Sequence, residues 1–210
     1  MTLSNRYSDL RKLSAIPTVR LLAAGNAVLQ TPLDAPASAS VAEVLTELDA
    51  KGALLDMLQL LAHALPAREA TWWACLSARD ILADGAPVPP PLRAAEAWVH
   101  RPGNETRTLA REALDKAKNE DETVLCAMAA SCAAGTLGPG LLEDYDAPPG
   151  AVGGAVFGMA LISLYHDSDL VAARGPLLLA RALDIARGGS GNVAPPVSQS
   201  IPVSDQEARS

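Results

Sequence analysis

An all-α fold follows from three observations. About a fifth of the residues are alanine, the side chain that loses no rotamer entropy on entering a helix. Aromatic residues make up only 3%, and the Val-, Ile- and Thr-rich runs that favour strands are scarce. Apolar residues recur three and four apart in one segment after another, with Gly, Pro, Ser or Asp between the segments. The expected architecture is about eight short helices in antiparallel succession, either HEAT-like or an irregular α–α bundle, without the fixed period of true repeats.

Each element has its own reason. Residues 1–38 contain Pro17, Pro32 and Pro36 and read as a mostly irregular segment with one short apolar piece at 19–29. A single helical domain is expected over 39–187. Ser40 with Glu43 three residues later forms a capping box, in which each side chain satisfies an exposed backbone N–H of the other residue. The helix it opens carries Val41, Val44, Leu45 and Leu48 on one face. Gly52 breaks the chain, and Leu54, Met57, Leu58, Leu61 and Leu65 form the next apolar stripe.

Pro66 suits the first turn of the segment PAREATWWACLSARDILA, where a missing N–H costs nothing. Ala67, Ala70, Ala74, Ala78 and Ile81 line one side of it, and Trp72, Cys75, Leu76 and Leu82 line another. Apolar surface on more than one side marks a central helix. The Pro-rich stretch 85–91 ends it. Pro91 opens the next helix, with Leu92, Ala95, Trp98 and Val99 inward, and Pro102 and Gly103 close that one.

Asn104 is the expected cap of a helix whose inward face is Thr106, Leu109, Ala110, Ala113, Leu114 and Ala117. On that phase, aspartate at Leu109 would cost several kcal/mol. Asp121 is the expected cap of a further helix with Val124, Leu125, Met128, Ala129 and Cys132. The loop GTLGPGLLEDYDAPPG is the longest break in the core. Two last helices are expected at about 151–166 and 170–187. Gly153, Gly154 and Gly158 read as close helix packing; no strand precedes them, so they are no nucleotide loop. Residues 188–210, rich in Gly, Ser and Pro, read as a disordered tail, either plainly solvated or a tether or short linear motif.

Charge narrows the function classes. The formal net charge is −7 and the pI about 4.9. Neutralising phosphates needs clustered Lys and Arg, and the basic residues Arg107, Arg111, Lys116 and Lys118 are interleaved with Glu112, Asp115 and Glu120, so nucleic acid is not an expected partner. The most apolar window, 151–164, is too short to cross a bilayer. The polar start MTLSNRYSDLRKLSAIP has no apolar stretch of signal-peptide length. Cys75, Cys126 and Cys132 are odd in number and have no framework spacing, which points to a reducing compartment. A cytoplasmic location is expected.

Catalytic, cofactor and metal groupings are not found. His63, His100 and His166 each stand alone near a helix end, where interaction with the terminal carbonyls is expected. Cys126 and Cys132, six apart, fall on different sides of a helix, and Cys75 beside Trp73 and Leu76 reads as buried packing. Glu143, Asp144 and Asp146 lack the alternation and central Gly of a calcium loop and read as a solvated loop. Tyr145 within it is a candidate anchor, onto the domain itself or onto a partner. Trp72 and Trp73 are about 100° apart on a helix, so they cannot face the same way. One fills the core; the other covers a groove or forms an exposed anchor, unless both lie at least half buried between helices. The candidate partner contacts are therefore Trp72, Trp73, Trp98 and Tyr145.

The strings LPAREATWWACLSAR, AEAWVHRPGNETRTLAREAL and AAGTLGP, followed by a Pro-rich loop and a small-residue helix, span about residues 60–165. This arrangement resembles an uncharacterised all-helical proteobacterial family whose members resemble proteins encoded near type VI secretion genes. The resemblance implies a helical fold and a secretion setting and transfers no functional residues.

The resulting expectation is a non-enzymatic interaction module, an adaptor or chaperone-like accessory with a protein partner. The alternatives are a small-molecule-binding helical domain or an enzyme with a dispersed site, and an immunity protein that blocks a toxin with its acidic surface. Oligomeric state is left open by the sequence.

Overall fold

The structure, a computed structural model, describes residues 6–193. Among them are nine α-helices: α1 (Thr18–Ala24), α2 (Val41–Ala50), α3 (Leu54–Ala64), α4 (Ala67–Arg79), α5 (Pro90–His100), α6 (Asn104–Asp115), α7 (Val124–Cys132), α8 (Ala151–Tyr165) and α9 (Val171–Arg187). No strand occurs among the described residues beyond an isolated antiparallel bridge between Thr136 and Asp146. The fold is all-α. No helix among the described residues is long and apolar enough to cross a membrane.

The local signals act as their chemistry requires. Ser40 Oγ accepts from the Glu43 N–H while the Glu43 carboxylate accepts from the Ser40 N–H, completing the capping box. Gly52 turns the chain at φ +67°. Pro66 and Pro89 stand immediately before α4 and α5. Two caps differ from expectation. Asn104 is already helical, and its Oδ1 accepts from Arg107 instead of capping. Asp121 lies ahead of α7, and its Oδ1 accepts from the backbone N–H and hydroxyl of Thr123.

Helices remote in sequence meet at α8. It packs on α3, α4, α7 and α9, with Val156, Met159, Ala160 and Leu164 buried against them. In a solenoid each repeat touches only its neighbours; contacts between α8 and α3, almost a hundred residues apart, make this the irregular bundle. Close approach explains two of the three glycines in α8. A Cβ at Gly158 would lie 2.9 Å from Leu125 Cδ1 of α7, and one at Gly153 would overlap the His63 ring, whereas Gly154 faces open space. In α4, Ala70, Trp73, Ala74, Cys75 and Ala78 are fully buried, as a central helix demands.

The phase of α6 differs from expectation. Leu109 is 49% exposed, while Arg107 and Ala110 are buried. Leu109 instead lines a shallow groove with Ala94 and Ala97 of α5 and Ala113 of α6.

Both ends of the described chain are pinned. The buried Asp56 carboxylate accepts from the backbone N–H groups of Gln30 and Thr31, and the Lys12 N–H donates to the Ala186 carbonyl, so the irregular N-terminal segment lies against the bundle. Past α9, the Gly191 N–H donates to Asp184 Oδ2, so the first residues of the expected tail are fixed. The rest of that expectation, 194–210, lies outside the described residues.

Candidate functional site

The loop between α7 and α8 folds on itself. The Leu137 N–H donates to the Tyr145 carbonyl at 2.9 Å, and the Ala147 N–H donates to the Gly135 carbonyl at 2.9 Å. These bonds close a small hairpin with a single 3₁₀ turn, Gly140–Leu142, at its tip. The expected plain solvated loop is therefore an ordered element, and α6 supplies what orders it.

Arg107 and Arg111 sit one helical turn apart on α6 and share a face. The Arg107 guanidinium is buried. Its Nε and Nη2 donate to the Ser131 carbonyl at 3.3 and 3.2 Å, and Nη2 also donates to Thr136 Oγ1 at 2.9 Å. Glu143 of the loop lies 3.9 Å from its Nη1. Arg111 donates to the Leu137 carbonyl at 3.2 Å while Asp115 fixes its orientation. Hydrogen bonds from a charged donor contribute roughly 1.5–3 kcal/mol each. Two such arginines staple a loop whose own backbone bonds are few.

The stapled loop shows an apolar and acidic face to solvent. Leu141 is 89% exposed, more than any other large apolar side chain among the described residues, and Tyr145 is 61% exposed. Glu143, Asp144 and Asp146 are exposed around them. Isolated exposed apolar residues are ordinary; a leucine and a tyrosine held four residues apart on an ordered tip form a preorganised contact surface.

The tryptophans go elsewhere. Trp73 fills the core and Trp98 is buried between helices, which corrects their expectation as partner contacts. Trp72 is partly covered: its Nε1 donates to the Ser190 carbonyl at 2.7 Å, and its ring centroid lies 5.9 Å from that of His100. It anchors the segment after α9 to the bundle. Among the four, Tyr145 alone stands in solvent.

Histidines and cysteines behave as packing groups. Among the described residues, no histidine pairs with a helix-end carbonyl as expected. His166 Nδ1 is 3.4 Å from Glu122, His100 packs on Trp72, and His63 sits between α1 and α8. A hydrogen bond to the Cys126 thiol, together with burial, pushes the Cys75 thiol well above its usual range; that inter-helix thiol pair was not visible from spacing. No group of three or more His, Cys, Asp or Glu side chains suited to a metal ion occurs among the described residues.

Burial lowers the His63 pKa from its ordinary 6.5. The unfolded chain then takes up a proton that the folded chain resists, so stability is full above about 6.5 and declines as pH falls below it. Chemical-denaturation midpoints from pH 7.5 to 5 are expected to fall less steeply in His63→Gln than in the wild type.

Sequence comparison adds a family. Residues 44–186 match a family described as a family of unknown function, DUF6931. The chain belongs to this family. No curated protein matches the chain, and no solved structure matches it. The DUF6931 region takes in α3 to α8 whole, including both stapling arginines, the loop they hold and the central helix.

The DUF6931 loop was marked in the sequence by its Pro and Gly content, by the acidic cluster Glu143, Asp144 and Asp146, and by Tyr145. Arg107 and Leu141 were missed. Arg107 was hidden among alternating charges that read as a solvated face, and Leu141 stood in a stretch with no helical period. The available signal was Arg107 and Arg111 at i and i+4, on the same helix face as Ala110.

Proposed function

We propose that this DUF6931 protein is a non-enzymatic interaction module, an adaptor or chaperone-like accessory, whose docking element is the tip of the 133–150 loop. The observation that carries this reading is the exposure of Leu141 and Tyr145 on a loop immobilised from below by a buried arginine. Ordering a loop on binding costs about 0.5–1.5 kcal/mol for each immobilised side chain, and the staple removes part of that cost in advance. Apolar anchors of this kind dominate interface energetics, while the surrounding charges set orientation and encounter rate. Glu143, Asp144 and Asp146 favour a partner with a basic rim around a shallow apolar pocket. A cytoplasmic location and a bacterial secretion machine are the setting that the cysteine usage and the sequence resemblance suggest.

The experiment is quantitative affinity capture with wild-type bait and with Leu141→Ser/Tyr145→Ser bait. A partner retained by the wild type is expected to be weakened roughly tenfold or more by the double substitution, with Leu109→Ser unaffected. Equal retention by both baits argues against the loop.

A further inference from the structure

A second surface is built differently. Between α1, α3, the base of the 133–150 loop and the start of α8 lies an open cleft of about 440 Å³, within the range of small-molecule sites. No Asp, Glu, Lys or Arg lines it, although these residues make up 20% of the chain. Its walls are apolar side chains, backbone, and one imidazole. Ile16, Leu21 and Leu65 contribute the apolar side, and Ile16 stands half exposed at the rim.

The imidazole is fixed in place. Two chain segments, the end of α1 and the start of α8, close on His63 only because they carry glycine there. A Cβ at Gly25 would lie 2.6 Å from His63 Nδ1, one at Gly153 would lie 2.7 Å from Cε1, and one at Gly150 would collide with the Gly25 carbonyl. Even so, neither ring nitrogen has a hydrogen-bond partner among the described residues. Val152 and Gly153, in the first turn of α8, also line the cleft, and the start of that helix has no side-chain cap for its free N–H groups. A positioned polar group without a partner, set in an otherwise uncharged cleft, is the usual arrangement for orienting one head group of a bound molecule.

We propose that this cleft binds a small, mainly apolar molecule with a single hydrogen-bond-accepting head of the carboxylate class. The head lies at His63 and the N–H groups of Val152 and Gly153, and the apolar body lies along Ile16, Leu21 and Leu65. Neutral imidazole donates from one nitrogen and accepts at the other, whereas the two backbone groups only donate, so a head that meets all three must accept. The absence of other charges on the walls disfavours a polyanion or a dipolar ligand. The cleft meets the base of the 133–150 loop at Gly135 and Ala147, but neither Leu141 nor Tyr145 of the tip lines it, so octanoate binding and partner capture are read out separately.

The test is titration of the full chain with sodium octanoate, following the imidazole resonances of all three histidines by NMR. A saturable shift at His63, with His100 and His166 unmoved, is expected. Acetate, which lacks the body, and octylamine, which lacks the acceptor, are expected to bind about tenfold more weakly or worse. His63→Gln should weaken octanoate binding, and so should Ile16→Asp at the exposed rim, which leaves the interior packing alone. The wild-type titration decides the matter whether or not either variant folds. Equal shifts at the three histidines, equal response to octanoate and octylamine, or no saturation at His63 overturns the proposal.

Discussion

Replacing Arg107 by methionine is expected to lower the unfolding free energy by about 2–4 kcal/mol and to release the 133–150 loop. Methionine keeps most of the apolar stem that fills the space under the loop, so packing is largely retained and the measurement isolates the guanidinium. The loss has two parts. The Ser131 carbonyl loses both donated bonds and Thr136 Oγ1 loses one, leaving acceptors under the loop unsatisfied at roughly 1–3 kcal/mol. The hairpin bonds at Leu137 and Ala147 then hold the loop with only Arg111 beneath them. Urea denaturation measures the first part, and amide hydrogen exchange at Leu137 and Ala147 measures the second. Arg107→Lys should fall between, because a single ammonium cannot span both acceptors. An unchanged midpoint with unchanged exchange at those two amides would falsify the staple.

The second large effect lies on the same helix. Ala110→Asp is expected to cost about 3–5 kcal/mol, because Ala110 is fully buried, so a larger carboxylate is desolvated there and pairs with Arg107 only by drawing that guanidinium off Ser131 and Thr136. Leu109→Asp, one residue away, is expected to stay within about 0.5 kcal/mol of the wild type, since Leu109 faces the solvent side of a shallow groove. The pair reads the phase of α6 directly. Thermal or urea midpoints suffice, and comparable losses in both variants would rule out the observed phase.

That phase shows where the sequence was legible and where it was not. Ser40 with Glu43, Gly52 and Pro66 placed helix boundaries because each acts through the backbone next to it. Leu92, Ala95, Trp98 and Val99 were readable as an inward face because an apolar stripe needs no knowledge of its neighbour. The face of α6 was misread because it buries an arginine and exposes a leucine, the reverse of the usual partition. The cause lies outside the helix: carbonyls at Ser131 and Leu137, supplied by the end of α7 and by the loop, accept from Arg107 and Arg111. A periodicity reading sees residue types and is blind to acceptors that tertiary structure brings up. The same limit hid the cleft at His63, where Gly25 at the end of α1 meets Gly150 and Gly153 at the start of α8. Trp72 and Trp73 were resolved only in part, since adjacency forces them apart but does not say which one is buried.

The claim that the loop tip docks a protein is tested most directly by site-specific photocrosslinking. A photoreactive phenylalanine derivative is placed at Tyr145, and in a second variant at Tyr165, an exposed tyrosine at the end of α8. Crosslinking in cells is expected to give one discrete heavier species from position 145, absent from position 165 and lost when Leu141→Ser is added. Equal crosslinking from the two positions, or none from position 145, would contradict the assignment of the loop as the docking surface.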